Sequence, residues 1–292
     1  MYAVAGVSGN TGSVVADTLL SQGKALRVLV RNEAKGALWR KRGAEVAVAS
    51  LDDAKASARA LRGTEGAYLL LPPDFASNHV LEDRKRMTDA LAAAVAESGC
   101  PHVVFLSSIG AQYPKGTGVI RSTHFAEKRL GEVQAAFTFL RAAYFMENWG
   151  AVLKPALEKG ILPTGLAETR RIPMVATRDI GLTAAKSLVE PGPRRHVIEL
   201  SGPAEYSPAD VATTLSRIVG RTVKVAPIPE AELVPALTGM GFTPDLAELF
   251  REMHAGINAG LVAWEGRGAT ALRGTTTLET VLKGLVERAK KP

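Results

Sequence analysis

Through its first half this chain alternates short apolar runs of strand length with longer helical patterns, and few folds accept that rhythm. Residues 2–5 precede a helical pattern over 14–22, "ALRVLV" (25–30) precedes 35–42, "AEVAVA" (44–49) precedes 53–62, and "GAYLLL" (66–71) precedes 78–98. The series continues through "HVVFLS" (102–107), a helical pattern near 121–134 and "FTFLR" (137–141). Such an alternation predicts α/β architecture, a doubly wound parallel sheet with helices on both faces. Four of the runs are nearly all apolar, as strands buried on both faces must be.

Beyond residue 150 the rhythm loosens into pieces punctuated by Gly and Pro. The expected organisation is a doubly wound domain over 1–150 and a smaller C-terminal α/β region over 151–292, with room for strands or helices of the second to return to the first. Helix starts stay legible there. Ser207 is placed to cap, with Pro208 in the first turn and Asp210 three residues on, and Thr276 with Glu279 reads as a capping box before "LETVLKGLVERA". Over 244–262, Leu246, Leu249, Phe250, Met253, Ile257 and Leu261 recur at helical spacing, either as a core-facing stripe or as the lining of a substrate pocket.

The 292 residues are 46% hydrophobic and 22% charged, ordinary for a globular protein with a sizeable core. No apolar run approaches the roughly 18–20 residues that span a bilayer, and the first residues lack the basic region and cleavage site of a secretory leader. Cys100 stands alone, which excludes internal disulfides; a cytoplasmic location is expected. The net charge is +7, but Lys and Arg are interleaved with acids, so neither nucleic acid nor a membrane is an expected partner. The five histidines are widely separated and lack metal-site spacing.

"VAGVSGNTGSVVADTLL" (4–20) carries Gly6, Gly9 and Gly12 between an apolar strand and a helix. In that setting Gly6 allows a tight turn, Gly9 lets a phosphate approach the backbone, and Gly12 lets the helix pack on the strand, so the loop reads as a Rossmann-like pyrophosphate cradle. Ser8, Asn10 and Thr11 add short polar side chains beside the anion. At the end of the second strand, "VLVRN" offers Arg31, with Lys35 one turn on, where an NAD site would place an acid. A guanidinium fork suits a 2′-phosphate, so NADP(H) is expected in preference to NAD(H).

From these segments onward the chain resembles the NmrA-like group of atypical short-chain dehydrogenases, which includes quinone oxidoreductases, azoreductases, triphenylmethane reductases and redox-sensing regulators. "AYLLLPP", "HVVFLSSIGA", "LRAAYFMENW", "IPMVATRDIGLTAAKSL" and "ELSGPAEYSPADVATTLSRIVGRTV" extend the likeness, in order, over nearly the whole chain. The resemblance implies that Gly6 to Gly12 and Arg31 hold the adenosine diphosphate half. It puts Leu71 and Pro72 beside the nicotinamide, Ala142, Ala143 and Tyr144 against it, and Phe145, Asn148 and Trp149 toward substrate, with core packing the other reading for Phe145 and Trp149. One position departs from the family: "VASLDD" has Ser50 and Leu51 where an adenine-side Asp is common.

Ordinary short-chain dehydrogenases use Tyr-x-x-x-Lys on a helix, the lysine lowering the tyrosine pKa. "STHFAEKRLGE" keeps the lysine as Lys128, but four residues earlier stands His124. His124 as a weak acid and Lys128 as a ribose or carboxamide anchor are the catalytic candidates; the alternative is that both lie on a solvated helix face. Tyr113 offers a further pocket hydroxyl, and Ser107 or Ser108 could polarise a substrate oxygen. Without the tyrosine, alcohol dehydrogenation is disfavoured, whereas a quinone, azo bond or dye is electrophilic enough to need mainly positioning. The expected function is hydride transfer from NADPH to such a small-molecule acceptor; the alternative is a non-catalytic NADP(H)-binding redox sensor. A homodimer is left open.

Overall fold

The computed structural model describes residues 1–290. From the sheet centre the chain first runs one way through β1 (Tyr2–Ala5), α1 (Asn10–Ser21), β2 (Leu26–Val30), α2 (Glu33–Lys41) and β3 (Glu45–Val48), then crosses back through α3 (Ala54–Leu61). It next runs the other way through β4 (Gly66–Leu69), α4 (Val80–Ser98), β5 (His102–Ser108), α5 (Arg121–Gly131) and β6 (Ala136–Ala142). There follow β7 (Tyr144–Phe145), α6 (Leu153–Lys159), β8 (Ile161–Thr164), β9 (Ile172–Val175), α7 (Thr177–Val189), β10 (Arg195–Ser201), β11 (Glu205–Tyr206) and α8 (Pro208–Val219). The chain ends with β12 (Lys224–Pro227), α9 (Glu230–Gly239), α10 (Pro244–Asn258), β13 (Thr270–Arg273) and α11 (Leu278–Ala289).

Eight strands form the large sheet in the order β13-β10-β6-β5-β4-β1-β2-β3, and every neighbouring pair is parallel. Chain direction across the sheet reverses between β1 and β4, which opens a crevice at their carboxyl ends. β10 and β13, both from beyond residue 150, extend the sheet past β6. Two small sheets, β11-β9-β7 and β12-β8, stand beside it.

Period-two alternation splits each central strand between two cores. Tyr2, Val4, Tyr68 and Val104 face one side with Val15 and Leu19 of α1 and Ile180 and Ala184 of α7. Ala3, Ala5, Leu69 and Phe105 face the other with Leu91 and Val95 of α4 and Ala126 and Leu130 of α5. A third core, around Met146, Trp149, Leu162, Met174 and Leu282, holds the segments beside the sheet.

Helix α1 is held by backbone contact on two sides. A Cβ at Gly12 would lie 2.4 Å from the Gly6 carbonyl oxygen and 2.6 Å from that of Ala5, and one at Gly181 would lie 2.5 Å from Val14 Cβ and 2.9 Å from the Thr11 carbonyl oxygen. Only glycine lets α1 sit that close to both β1 and α7.

The caps follow local chemistry with one shift. Ser207 and Asp210 form the reciprocal box on α8, but α11 is capped by Thr277, whose hydroxyl accepts from the Thr280 amide. Thr276 is occupied elsewhere: its amide and hydroxyl donate to the buried carboxylate of Asp179 in α7, at 2.8 and 2.7 Å.

Near the carboxyl end of the sheet, Ser107, Arg141 and Glu199 lie side by side on β5, β6 and β10. Arg141, buried, donates from Nε and Nη2 to Glu127 of α5 at 2.9 and 2.6 Å and from Nη1 to Glu265 at 2.5 Å. Burial alone would lower its pKa, but Glu127 and Glu265 outweigh burial and raise it. Glu199 accepts the backbone amides of Glu265 and Gly266, latching the chain before β13 to the sheet. Replacing Glu127 by Ala is expected to cost about 3 kcal/mol of unfolding free energy, since it strands a buried charge. Urea denaturation checks this; a loss under about 1 kcal/mol would mean that Glu265 suffices to hold Arg141.

Candidate active site

The turn from β1 to α1 has the geometry of an anion cradle. Gly6 takes φ +69°, and the Gly9 amide donates to its carbonyl at 2.9 Å. Gly9 is the N-cap of α1 in extended conformation, no side chain caps the helix, and its first turn holds no acid. The first-turn amides therefore keep their unpaired donors and the positive end of the helix dipole, which suits a phosphate.

The short polar residues of the loop differ in placement. Ser8 and Asn10 are exposed, whereas Thr11 is buried with its Oγ1 accepting a 2.9 Å hydrogen bond from the Tyr68 hydroxyl. Tyr68 is fully buried, and burial raises its pKa, so the phenol remains a donor that fixes Thr11 at the helix start. Arg31, at the end of β2, and Lys35, in α2, are both exposed. The Asn32 side chain between them caps α2 by accepting the Lys35 amide at 3.1 Å.

From this loop a cleft of about 570 Å³ runs between the large sheet and the C-terminal segments. Gly6, Gly9, Asn10 and Thr11 line one end, and Leu71, Ala143, Tyr144, Phe145 and Asn148 line it farther on. Leu246, Phe250, Met253 and Ile257 of α10 also line it, so the helical stripe serves as core and as pocket wall together. Phe75 meets Phe242 edge-on at 5.4 Å, and Phe242 meets Phe250 at 5.2 Å, which joins the chain after β4 to α10 through an aromatic chain. Desolvation pushes the Tyr144 phenol up to about 12 although Asn148, hydrogen-bonded to it, pulls the other way; at neutral pH it is a hydrogen-bond donor.

Several expected residues lie outside the lining. Ser8, Gly12, Arg31, Lys35, Pro72 and Ala142 are not among the residues that line the cleft, nor is Tyr113, in the segment after β5. Trp149 belongs to the third core at 2% exposure, its ring 6.1 Å from that of Tyr144. Lys128 is exposed, because Ala126 and Leu130 take the sheet-facing side of α5. His124 is half-buried, and its Nδ1 lies 2.8 Å from the Ala111 carbonyl oxygen, so that nitrogen carries the proton and donates. Neither Lys128 nor His124 lines the cleft.

Ser107 and Ser108 both reach it, but their protons are engaged: Ser107 donates to Glu127 at 2.5 Å and Ser108 to the Ile109 carbonyl at 3.1 Å. Arg84, Ser122, Thr123 and Thr177, which no local motif marks, also line the cleft. Equally unmarked in the sequence is Glu147, whose carboxylate accepts from the amide and hydroxyl of Thr177 at the start of α7. Arg84 sits in the charged run "EDRKR", which by composition alone reads as a solvated helix face.

A parallel sheet whose order reverses at β1 and β4, with a glycine loop and an uncapped helix at the reversal, defines a Rossmann-like α/β protein. The model of the NmrA-like family matches residues 2–281, and the chain belongs to that family. It is 29% identical over 255 residues to the NAD(P)H azoreductase of Xenophilus azovorans, covering 87% of this chain and 86% of that one. It is 27% identical over 282 residues to quinone oxidoreductase 2 of Escherichia coli (strain K12), covering 95% and 96%. The crystal structure of the Citrobacter sp. triphenylmethane reductase complexed with NADP(H) shares the fold, with a TM-score of 0.82 at 20% identity over 98% of this chain and 100% of that one.

The raised pKa of Tyr144 gives a direct check. A phenol held protonated in the fold stabilises it fully below the unfolded value near pH 10, and that contribution is lost as pH rises toward about 12. Unfolding free energy is expected to fall across this window, and to fall less in Tyr144→Phe; equal slopes in the two proteins would mean that Tyr144 titrates normally.

Proposed function

We propose that this protein is an NADPH-dependent oxidoreductase that reduces a quinone-, azo- or dye-like acceptor. The observation that carries this reading is one continuous cleft with an anion cradle at one end and an apolar wall at the other. Family membership and the azoreductase and quinone oxidoreductase relatives support it.

In this reading Gly6, Gly9, Asn10 and Thr11 hold the pyrophosphate, with Gly12 keeping α1 against the strand. Arg31, helped by Lys35, meets the 2′-phosphate. Leu71, Pro72, Ala142, Ala143 and Tyr144 bound the nicotinamide side, and Phe145 and Asn148 face the acceptor. NADP(H), when bound, supplies the hydride. The chain's own part is to align two flat groups in an apolar space and keep water from between them, which is the main demand of reducing an already electrophilic acceptor. The neutral Tyr144 phenol and the Asn148 amide are donors for an acceptor oxygen or nitrogen on which negative charge gathers. His124 orders the segment after β5 through Ala111. Residues 1–150 carry the cofactor, and α10 from the later region closes the acceptor side.

The test is the loss of NADPH absorbance, and separately of NADH absorbance, with quinones, azo dyes and triphenylmethane dyes. Acceptor-dependent oxidation, faster with NADPH, is expected. Tight NADPH binding with no acceptor-driven oxidation would replace this reading with that of a redox sensor. Arg31→Glu is expected to weaken NADPH binding by at least about tenfold while NADH binding holds or improves, since a carboxylate repels the 2′-phosphate and accepts from the ribose hydroxyls. Titrations of both nucleotides check this; unchanged selectivity would move the 2′-phosphate away from Arg31.

A further inference from the structure

Arg84, in the second turn of α4, lines the cleft, and Asp74 is the only other charged residue among the lining side chains. Its Nη1 donates to Ser122 Oγ at 3.2 Å, while its Nε is buried without a partner. Ser122 spends its own proton on the Val119 carbonyl at 2.7 Å. Among the described residues no carboxylate accepts a hydrogen bond from Arg84. Asp74, exposed, accepts the Ala76 amide at 3.0 Å; Asp83 accepts from Ser77 and pairs with Arg86; Asp245, across on α10, accepts the Val80 amide at 2.8 Å. Burial pulls the guanidinium below its usual pKa, opposed by the field of Asp74.

Arg84 as a whole is half-buried, and the buried Arg141 shows how this chain completes such a group for structure alone. All three nitrogens of Arg141 donate to carboxylates. Arg84 has one neutral acceptor. A guanidinium whose Nε is shut off from water and unpaired carries a desolvation cost, and its fork matches two oxygens of a carboxylate or sulfonate. Around it the acceptor end is apolar or aromatic, with Phe75, Val119, Ile120, Leu246 and Phe250 in the lining.

Building on the reductase reading, we propose that Arg84 determines specificity in this cleft by binding an acidic substituent, a sulfonate or carboxylate, on a flat aromatic acceptor. The ring lies against the apolar wall and the anion on the guanidinium.

The experiment compares a naphthoquinone sulfonate with its unsulfonated parent, NADPH as donor, in wild type, Arg84→Met and Arg84→Lys. Arg84→Met is expected to lower kcat/KM for the sulfonate by at least about tenfold, with the parent quinone changed less than about twofold. NADPH affinity and thermal midpoint hold, because the variant removes an incompletely paired charge, and Arg84→Lys recovers part of the selectivity as a point charge. Equal losses on both quinones, or a lowered midpoint without a change in selectivity, would overturn the proposal. Weakened NADPH binding would also overturn it, assigning Arg84 to the cofactor.

If neither these quinones nor the azo and triphenylmethane dyes oxidise NADPH in wild type, the reductase reading fails and calorimetry decides the Arg84 assignment alone. Naphthalene sulfonate is then titrated into the protein saturated with NADP⁺. Binding that Arg84→Met abolishes sustains the assignment; absent binding, or binding equal in both proteins, overturns it.

Discussion

Direct contact between the backbones of α1, β1 and α7 is the constraint on which the rest of this structure depends. Without a side chain at Gly12 or Gly181, α1 lies against the carbonyls of Ala5 and Gly6 on one side and against α7 on the other. That closeness puts the uncapped helix start directly over the crevice where the sheet reverses, and the Tyr68 to Thr11 hydrogen bond fixes it to β4. The position of the free first-turn amides is thus a product of core packing, set by contacts below the surface.

The opposite side of the cleft is held by polar groups of widely separated segments. Glu147 caps α7 from the segment before α6, Asp179 of α7 holds Thr276, and Arg141 joins β6 to α5 and to the chain before β13. Each pairs a carboxylate with a donor at least 14 residues away along the sequence, and because Asp179 and Arg141 are buried, loss of their partners would leave a desolvated charge. The pocket wall that α10 contributes has ties of its own, from Asp245 to the Val80 amide and from Glu252 to the Gly116 amide.

The six strands of the first half were legible because the central ones are buried on both faces and leave apolar runs between helices, and the turn from β1 into α1 because three glycines stand between an apolar run and a helical pattern. The polar ties were not legible. Arg141 ends the quoted run "FTFLR" with nothing local to mark its partners, which lie 14 and 124 residues away. Arg84 was hidden for a related reason: among neighbouring charges, only the way α4 faces the cleft distinguishes it. At α11 two adjacent threonines suited the cap, and the long-range bond of Thr276 to Asp179 left the role to Thr277. For α10 the periodicity marked the correct face but could not say that this face meets both core and cavity.

The sheet order also bears on how the chain is made. β6 pairs on one edge with β5 and on the other with β10, which ends at Ser201. While residues 143–201 are still being synthesised, at roughly 5–20 residues per second, the β6 edge carrying Phe137, Phe139 and Leu140 has unpaired backbone groups. For several seconds the nascent chain thus exposes an apolar strand edge able to pair with another chain, and a fragment ending near residue 150 would keep that edge and aggregate through it.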